Sequence, residues 1–448
     1  MWKLEKQLSE QAGRLYFDGN SVSDLAERFS TPLYAYSEAG IRSNYRKLHG
    51  AFSGHYKKFR IFYAVKANNN PAVLRILQQE GAGADCSSPS EIMLARMAGF
   101  SVRDMLYTGN YNSNDEFRYA IEAGATLNLD DISHVQRVSG IKAQEELCFR
   151  INPGMGSSGE EKLVFAGPDA KFGISAERAA EAYALAKGLG TRRFGIHMMT
   201  GSNILDGQYF PEITARLLDI AGSIAENAGI AFSFVNIGGG FGIPYKPGEE
   251  ELDINRVASS IVSVFKEKCS EHRLGEPELR IEPGRYLVGD AGILIAKVTT
   301  IKEASKRFIG CDAGMNTLLR PALYGAYHHI FVEGKADSSN AALGQHRGQL
   351  SYYNICGQVC ENTDQFAKDR QLPGDVKEGD LLVMLNAGAY GFGMSSQYNS
   401  RPRAAEVLCS SGSAELIRER ESTLDLISKV HMPSHLISDS GSRQEQII

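Results

Sequence analysis

Between residues 37 and 285 the chain alternates short apolar runs with amphipathic stretches eight times over, and few architectures accommodate that rhythm. The runs are "RIFYAV" (60–65), "GAGAD" (81–85), "DMLYT" (104–108), "ATLNL" (125–129), "ELCFRI" (146–151), "RFGIHM" (193–198), "FSFVNI" (232–237) and "ELRIE" (278–282). Between them lie helix-like stretches such as "SPSEIMLARMAG" (88–99), "NDEFRYAIEAG" (114–124), "SAERAAEAYALAKGLG" (175–190) and "RVASSIVSVFKEKC" (256–269), several closing on the Gly that a helix C-terminus favours. With "SEAGIRSNYRKLHG" (37–50) as a helix ahead of the first run, the pattern predicts a parallel (β/α)8 barrel. A doubly wound open sheet is the competing architecture. It does not explain why unusual residues follow so many different strands, whereas a barrel collects all its strand C-termini at one mouth.

Beyond residue 285 the texture becomes β-rich: "GILIAKVTTI" (292–301), "FIGCD" (308–312), "SYYNICG" (351–357), "DLLVML" (380–385) and "AEVLCS" (405–410). The expected organisation is an N-terminal segment over 1–36, the barrel over 37–285, an all-β domain over 286–420 and an extension over 421–448. The polar stretch 333–349 reads as an exposed loop, and the tail after about residue 432 as mobile.

Composition narrows the function. A net charge of −5 with 23% charged residues gives no electrostatic case for nucleic acid or an anionic membrane. No window approaches the roughly 20 apolar residues of a membrane span, and the start lacks the basic and apolar regions of a secretory signal, so a cytoplasmic protein with small-molecule partners is expected. Seven Cys, an odd number in a long chain, do not form a disulfide framework, and the pair Cys356 and Cys360 lacks companions for a zinc set.

Three features at strand ends carry chemistry. Lys66 ends the apolar run of "FYAVKANNNP", just before Asn70 and Pro71 start a helix as N-cap and first-turn residue. An isolated lysine there reads as a side chain snorkelling from a strand end. The sharper reading is an amine whose pKa is lowered by partial burial, so that it can condense with a carbonyl. In "NIGGGFGIPY" (236–245), Gly238, Gly239 and Gly240 let backbone N–H groups converge on an anion such as phosphate, although a glycine-rich turn without a ligand looks the same. In "RIEPGRYLVGDAG" (280–292), Glu282 ends the eighth strand with Arg285 just beyond, which as an isolated pair is a surface salt bridge. Together the three describe a site for pyridoxal 5'-phosphate (PLP): an amine for its aldehyde, a cradle for its phosphate, and a carboxylate for its ring nitrogen.

The blocks "FYAVKANNNPAVL", "GADCSSPSEI", "INPGMG...KFGI", "NIGGGFGIPY", "IEPGR", "DAGMNTLLRPALYGAYH", "CGQVCENTDQF" and "NAGAYGFGMSSQYNSRPRAAEVL" resemble, in order, the signatures of the diaminopimelate decarboxylases. These are fold type III, alanine racemase-like PLP enzymes, a group that includes the ornithine and arginine decarboxylases. The match runs from about residue 30 to 420. It implies a PLP-binding barrel, a β domain that includes the N-terminal segment, and a homodimer with shared active sites. It further implies Lys66 as the Schiff-base lysine, with Asp85, His197, Met199, Ser202, Gly238 to Gly240, Glu282, Gly284 and Tyr390 around the cofactor. Arg285, Arg320 and Tyr324, with Tyr390, are implied at the substrate, and Cys360 and Glu361 come from the partner subunit, Cys360 as proton donor and Glu361 opposite a distal ammonium. The chemistry fits a substrate with a zwitterionic far end, which needs guanidinium for its carboxylate and carboxylate for its ammonium.

The expected activity is decarboxylation of meso-diaminopimelate to lysine, the closing reaction of lysine biosynthesis. One block departs from the family: "GIHMMTGSN" (195–203) has Met199 where a second His usually stacks on the ring, while His197 fills the first position. In this it resembles decarboxylases of antibiotic pathways that act on carrier-tethered aminoacyl groups. A secondary-metabolism decarboxylase taking a diaminopimelate-like, N-substituted or carrier-bound amino acid is therefore the alternative. A non-catalytic PLP-binding homologue is the alternative of another class, and such a protein would be free to lose Lys66 or Cys360, both present here.

Overall fold

The computed structural model describes residues 7–158, 164–335 and 349–436. All eight predicted barrel strands are present: Phe59–Ala64, Gly83–Cys86, Met105–Tyr107, Thr126–Leu129, Glu146–Asn152, Arg193–His197, Phe232–Asn236 and Glu278–Ile281. Each pairs in parallel with the next, and Leu279–Ile281 pairs with Phe59–Ile61 to close the ring. Closure excludes the open doubly wound sheet.

Seven helices fill the crossovers, from Pro71–Gln79 to Ile254–Glu271. The eighth place is taken by Glu38–Ser53, which precedes the first strand and packs between the first and last crossover helices. The local chemistry that starts them is conventional. Asn70 accepts from the N–H of Ala72 with Pro71 at the first helical position, Ser88 caps Pro89–Met97, and Ser113 and Glu116 form a reciprocal capping box. Strand side chains such as Leu147 and Phe149 are wholly buried, each contributing roughly 1.5–3 kcal/mol.

The second sheet has nine strands. The long strand Gly292–Glu303 pairs antiparallel with Leu33–Ser37 from the N-terminal region, and Leu33–Ser37 pairs in parallel with Ala405–Ser410 on its other side. Besides Leu33–Ser37, three of its strands lie outside the predicted runs: Ile330–Val332, Gln365–Pro373 and Ser413–Arg418. The polar alternation of "QFAKDRQLP" hides the second of these, because its outward face is charged. A short helix, Arg320–Tyr324, interrupts the β structure.

Of the stretch read as an exposed loop, 336–348 lies outside the described residues, as does the tail from 437 on. Glu333, at the start of that stretch, is instead half-buried and accepts hydrogen bonds from Leu15 N (2.9 Å) and Ser23 Oγ (3.1 Å).

What positions the site is the seam between barrel and second sheet. The turn after the first strand, "KANNN", is stitched across it: Tyr390 N donates to Ala67 O (2.7 Å), Asn68 Nδ2 to Gly388 O (3.1 Å), and Asn70 Nδ2 to Glu406 (2.9 Å). Tyr36 donates to the other oxygen of Glu406 at 2.6 Å. Ala67, Asn68 and Asn70 thus act as fasteners that lay the second sheet over the barrel mouth.

Candidate active site

Lys66 sits in a one-turn 3-10 helix, Val65–Ala67, that caps the first strand. Its Nζ donates to Asp85 Oδ2 at 2.6 Å, across to the end of the second strand. The side chain keeps 42% of its accessible surface because it faces the cavity. Burial alone would push its pKa down. The negative charge of Asp85, with Tyr390 and Glu282 behind it, outweighs that and raises the pKa above the ordinary lysine value. The sequence expectation of a lowered pKa is therefore corrected: without a bound carbonyl compound, Lys66 is a clamped ammonium.

Asp85 is wholly buried, and burial followed by the nearby Glu282 raises its pKa while Lys66 opposes. Glu282, at the end of the eighth strand, goes the other way. Burial penalises its charge, but His197 Nε2 at 2.9 Å and Asn236 Nδ2 at 2.7 Å hold one oxygen each, and its pKa falls. His197, placed by sequence beside the cofactor, is thus the backing of Glu282. A carboxylate has about four acceptor positions, so Glu282 retains capacity toward the cavity it lines.

The cavity measures about 310 Å³, within the roughly 300–1,000 Å³ of small-molecule sites. It brings together Lys66, Asp85, His197, Met199, Ser202, Glu282, Arg285, Arg320, Tyr324 and Tyr390. A smaller chamber continues it toward Gly240, Phe241 and Gly284. There the loops after the sixth, seventh and eighth strands touch backbone to backbone. Gly238 is left-handed (φ +72°), and a Cβ on it would lie 2.2 Å from Met198 O; one on Gly239 would lie 2.4 Å from Glu282 O. Gly238→Ala is expected to cost roughly 1–2 kcal/mol from the backbone conformation alone, more with the clash, and thermal unfolding with and without PLP should show a lower midpoint and a smaller stabilisation by the cofactor.

Arg285 straddles the two chambers. Its Nη2 donates to Ser202 Oγ (3.1 Å), its Nη1 to Tyr245 Oη (2.6 Å), and its guanidinium lies 5.0 Å from the Tyr390 ring. It is therefore in contact with residues expected at the phosphate as well as near those expected at the substrate. Met199 faces both chambers, and its sulfur accepts the N–H of Gly239 at 3.4 Å.

Cys360 and Glu361 are exposed and line neither chamber. Cys360 is held by Asn399, which accepts from its backbone N (2.9 Å) and donates to its sulfur (3.2 Å). Because the backbone N–H requires the amide oxygen, the amide nitrogen is left facing Sγ.

Sequence reasoning missed Arg150 and His328. Arg150 lies near the C-terminal end of the fifth strand, buried in the cavity wall with its guanidinium 4.5 Å from the Phe172 ring centre; its signal was a cation inside the apolar run "ELCFRI". His328 hydrogen-bonds Arg320 at 2.8 Å.

Comparison with known proteins agrees with this geometry. The family described as "Pyridoxal-dependent decarboxylase, pyridoxal binding domain" matches residues 39–289. The chain is 47% identical over 427 residues to the diaminopimelate decarboxylase of Methanothermobacter thermautotrophicus, covering 95% of this chain and 97% of that protein. To the diaminopimelate decarboxylase of Archaeoglobus fulgidus it is 38% identical over 434 residues, covering 96% and 100%. The crystal structure of the Methanocaldococcus jannaschii enzyme in complex with L-lysine superimposes with a TM-score of 0.87 at 33% identity, covering 96% of this chain and 99% of that one. With this identity to diaminopimelate decarboxylases over nearly the whole of both chains, and the same fold as a solved one, the chain belongs to the diaminopimelate decarboxylase family of pyridoxal-dependent decarboxylases.

Proposed function

We propose that the protein decarboxylates meso-diaminopimelate to L-lysine with PLP held at the barrel mouth. The observation that carries this reading is the convergence on one cavity of a lysine ammonium, an ionised buried glutamate and three buried arginines, in a chain 47% identical to a diaminopimelate decarboxylase over 95% of its length. The M. jannaschii relative holds L-lysine, the product of that reaction.

The residues fit PLP. Buried Asp85 Oδ1 and His197 Nδ1 have no hydrogen-bond partner among the described residues, and the approach of the loops at Gly238 and Gly239 leaves no room for side chains. Lys66 would hold the aldehyde carbon, the glycine loop with Ser202, Gly284 and Tyr390 the phosphate, and Glu282 the ring nitrogen. Bound there, the protonated ring supplies a sink for the electrons left when the α-carboxylate departs. His197 and Asn236 keep the Glu282 carboxylate ionised, so that it would hold the ring nitrogen in its protonated form. Arg285, Arg320 and Tyr324 orient the substrate by its distal carboxylate. Cys360 and Glu361, turned away from their own cavity, act in the partner subunit of a homodimer, Cys360 donating a proton to the α-carbon and Glu361 pairing with the distal ammonium.

The test is kcat/KM for CO2 release from diaminopimelate beside lysine, ornithine and an N-substituted diaminopimelate. Diaminopimelate is expected to win clearly, since leaving a buried charged partner unpaired costs on the order of 2–5 kcal/mol. A preference for the N-substituted compound would overturn the assignment in favour of a modified substrate.

A further inference from the structure

Arg320 is held by a residue with no part in the roles above. His328 is 1% exposed, and both of its ring nitrogens are engaged: Nδ1 lies 2.8 Å from Leu385 O and Nε2 lies 2.8 Å from Arg320 Nη1. A carbonyl oxygen only accepts, so Nδ1 carries the proton. A guanidinium only donates, so Nε2 is bare. The two contacts therefore select one tautomer of a neutral imidazole. Burial, and then the positive charges of Arg320, Arg285 and Arg370, keep its pKa well below the ordinary histidine value, against the pull of the Leu385 carbonyl.

The same ring stands edge-on to Tyr245, with centroids 5.4 Å apart and planes at 83°. Tyr245 in turn lies 4.7 Å from the Arg320 guanidinium and accepts from Arg285. Arg320 is thereby fixed twice, in its plane by the imidazole nitrogen and across its face by the phenol ring. A planar fork binds a carboxylate well only when both position and tilt are set in advance.

We infer that His328 is a positioning residue that aims Arg320 and so sets the preference for substrates carrying a carboxylate at the end remote from the reacting carbon. This rests on the proposed role of Arg320 as a grip on that carboxylate. A bare Nε2 is the part that matters, since a protonated ring would place a second cation against Arg320 and could accept nothing from it.

The experiment compares inhibition of the holoenzyme by L-lysine and by 1,5-diaminopentane, which has the same amine chain without the carboxylate, together with KM and kcat for diaminopimelate. His328→Leu is expected to raise the lysine inhibition constant and KM by roughly tenfold or more, as loss of a charge-assisted hydrogen bond should. The diaminopentane constant and kcat should change by less than about twofold. His328→Gln should restore most of the loss, because its amide can donate to Leu385 O while its oxygen accepts from Arg320. Should His328→Leu fail to fold, His328→Asn replaces it, keeping the Leu385 contact but falling short of Arg320. Equal weakening of both inhibitors, or a Gln variant as impaired as Leu, would overturn the inference. Arg320→Leu separates the two ideas: if it leaves the lysine-to-diaminopentane ratio unchanged, the role of Arg320 is wrong. If it collapses the ratio while His328→Leu does not, only the role of His328 is.

Discussion

Lys66→Ala should abolish turnover and the borohydride-fixable attachment of PLP together. In the native protein, reduction should place the label on the peptide containing "AVKANNN", and among the described residues no other lysine lines the cavity to substitute for it. The expected loss of kcat is several orders of magnitude, because a positioned covalent partner, unlike a binding contact, has no substitute in solvent. Asp85→Asn sharpens the test. It removes the charge that most strongly raises the pKa of Lys66, leaving burial to lower it, so the amine should be neutral at lower pH and the apoprotein should capture PLP faster near neutrality. Label on another peptide, or capture by Lys66→Ala, would sink the assignment.

The strand rhythm was legible because barrel strands are buried on both faces and read as near-continuous apolar runs. Their predicted bounds were displaced by one or two residues in either direction, as at "RIFYAV", where the strand begins at Phe59 and Val65 already belongs to the turn that carries Lys66. The second sheet was half legible: Gln365–Pro373 escaped because one of its faces is solvated. The separate N-terminal sheet, with Leu8–Gln11 and Arg14–Phe17, escaped because its strands are too short to show a period. Around the site, sequence identified which residues collect but not how they balance. The pKa of Lys66 depends on Asp85, on a different strand, and the ionisation of Glu282 on His197 and Asn236 from two others. No pattern within "RPALYGAYHH" distinguishes His328, whose partners are eight and 57 residues away, from the adjacent His329. The asparagines of "KANNN" were read for a helix cap alone, because their partners Gly388 and Glu406 lie over 300 residues on.

The same limit applies to Cys360 and Glu361, which are exposed in the single chain and on the proposed function complete the site of another copy. Lys66→Ala and Cys360→Ala homodimers should each be nearly inactive. Mixed in equal amounts and allowed to exchange, they should recover about a quarter of wild-type activity: in a two-fold dimer, half of the molecules are hybrids, and each hybrid has one site with both native residues and one with neither. The prediction needs no knowledge of rates, only that subunits exchange, which a tag on one variant can establish. Cys360→Ala should still bind PLP and show the native attachment to Lys66, because Asn399 and not the cofactor holds Cys360 in its own chain. Recovery near zero with exchange demonstrated would place the whole site in one chain and remove Cys360 from the reaction; recovery near a quarter assigns each cavity its lysine from one subunit and its proton donor from the other.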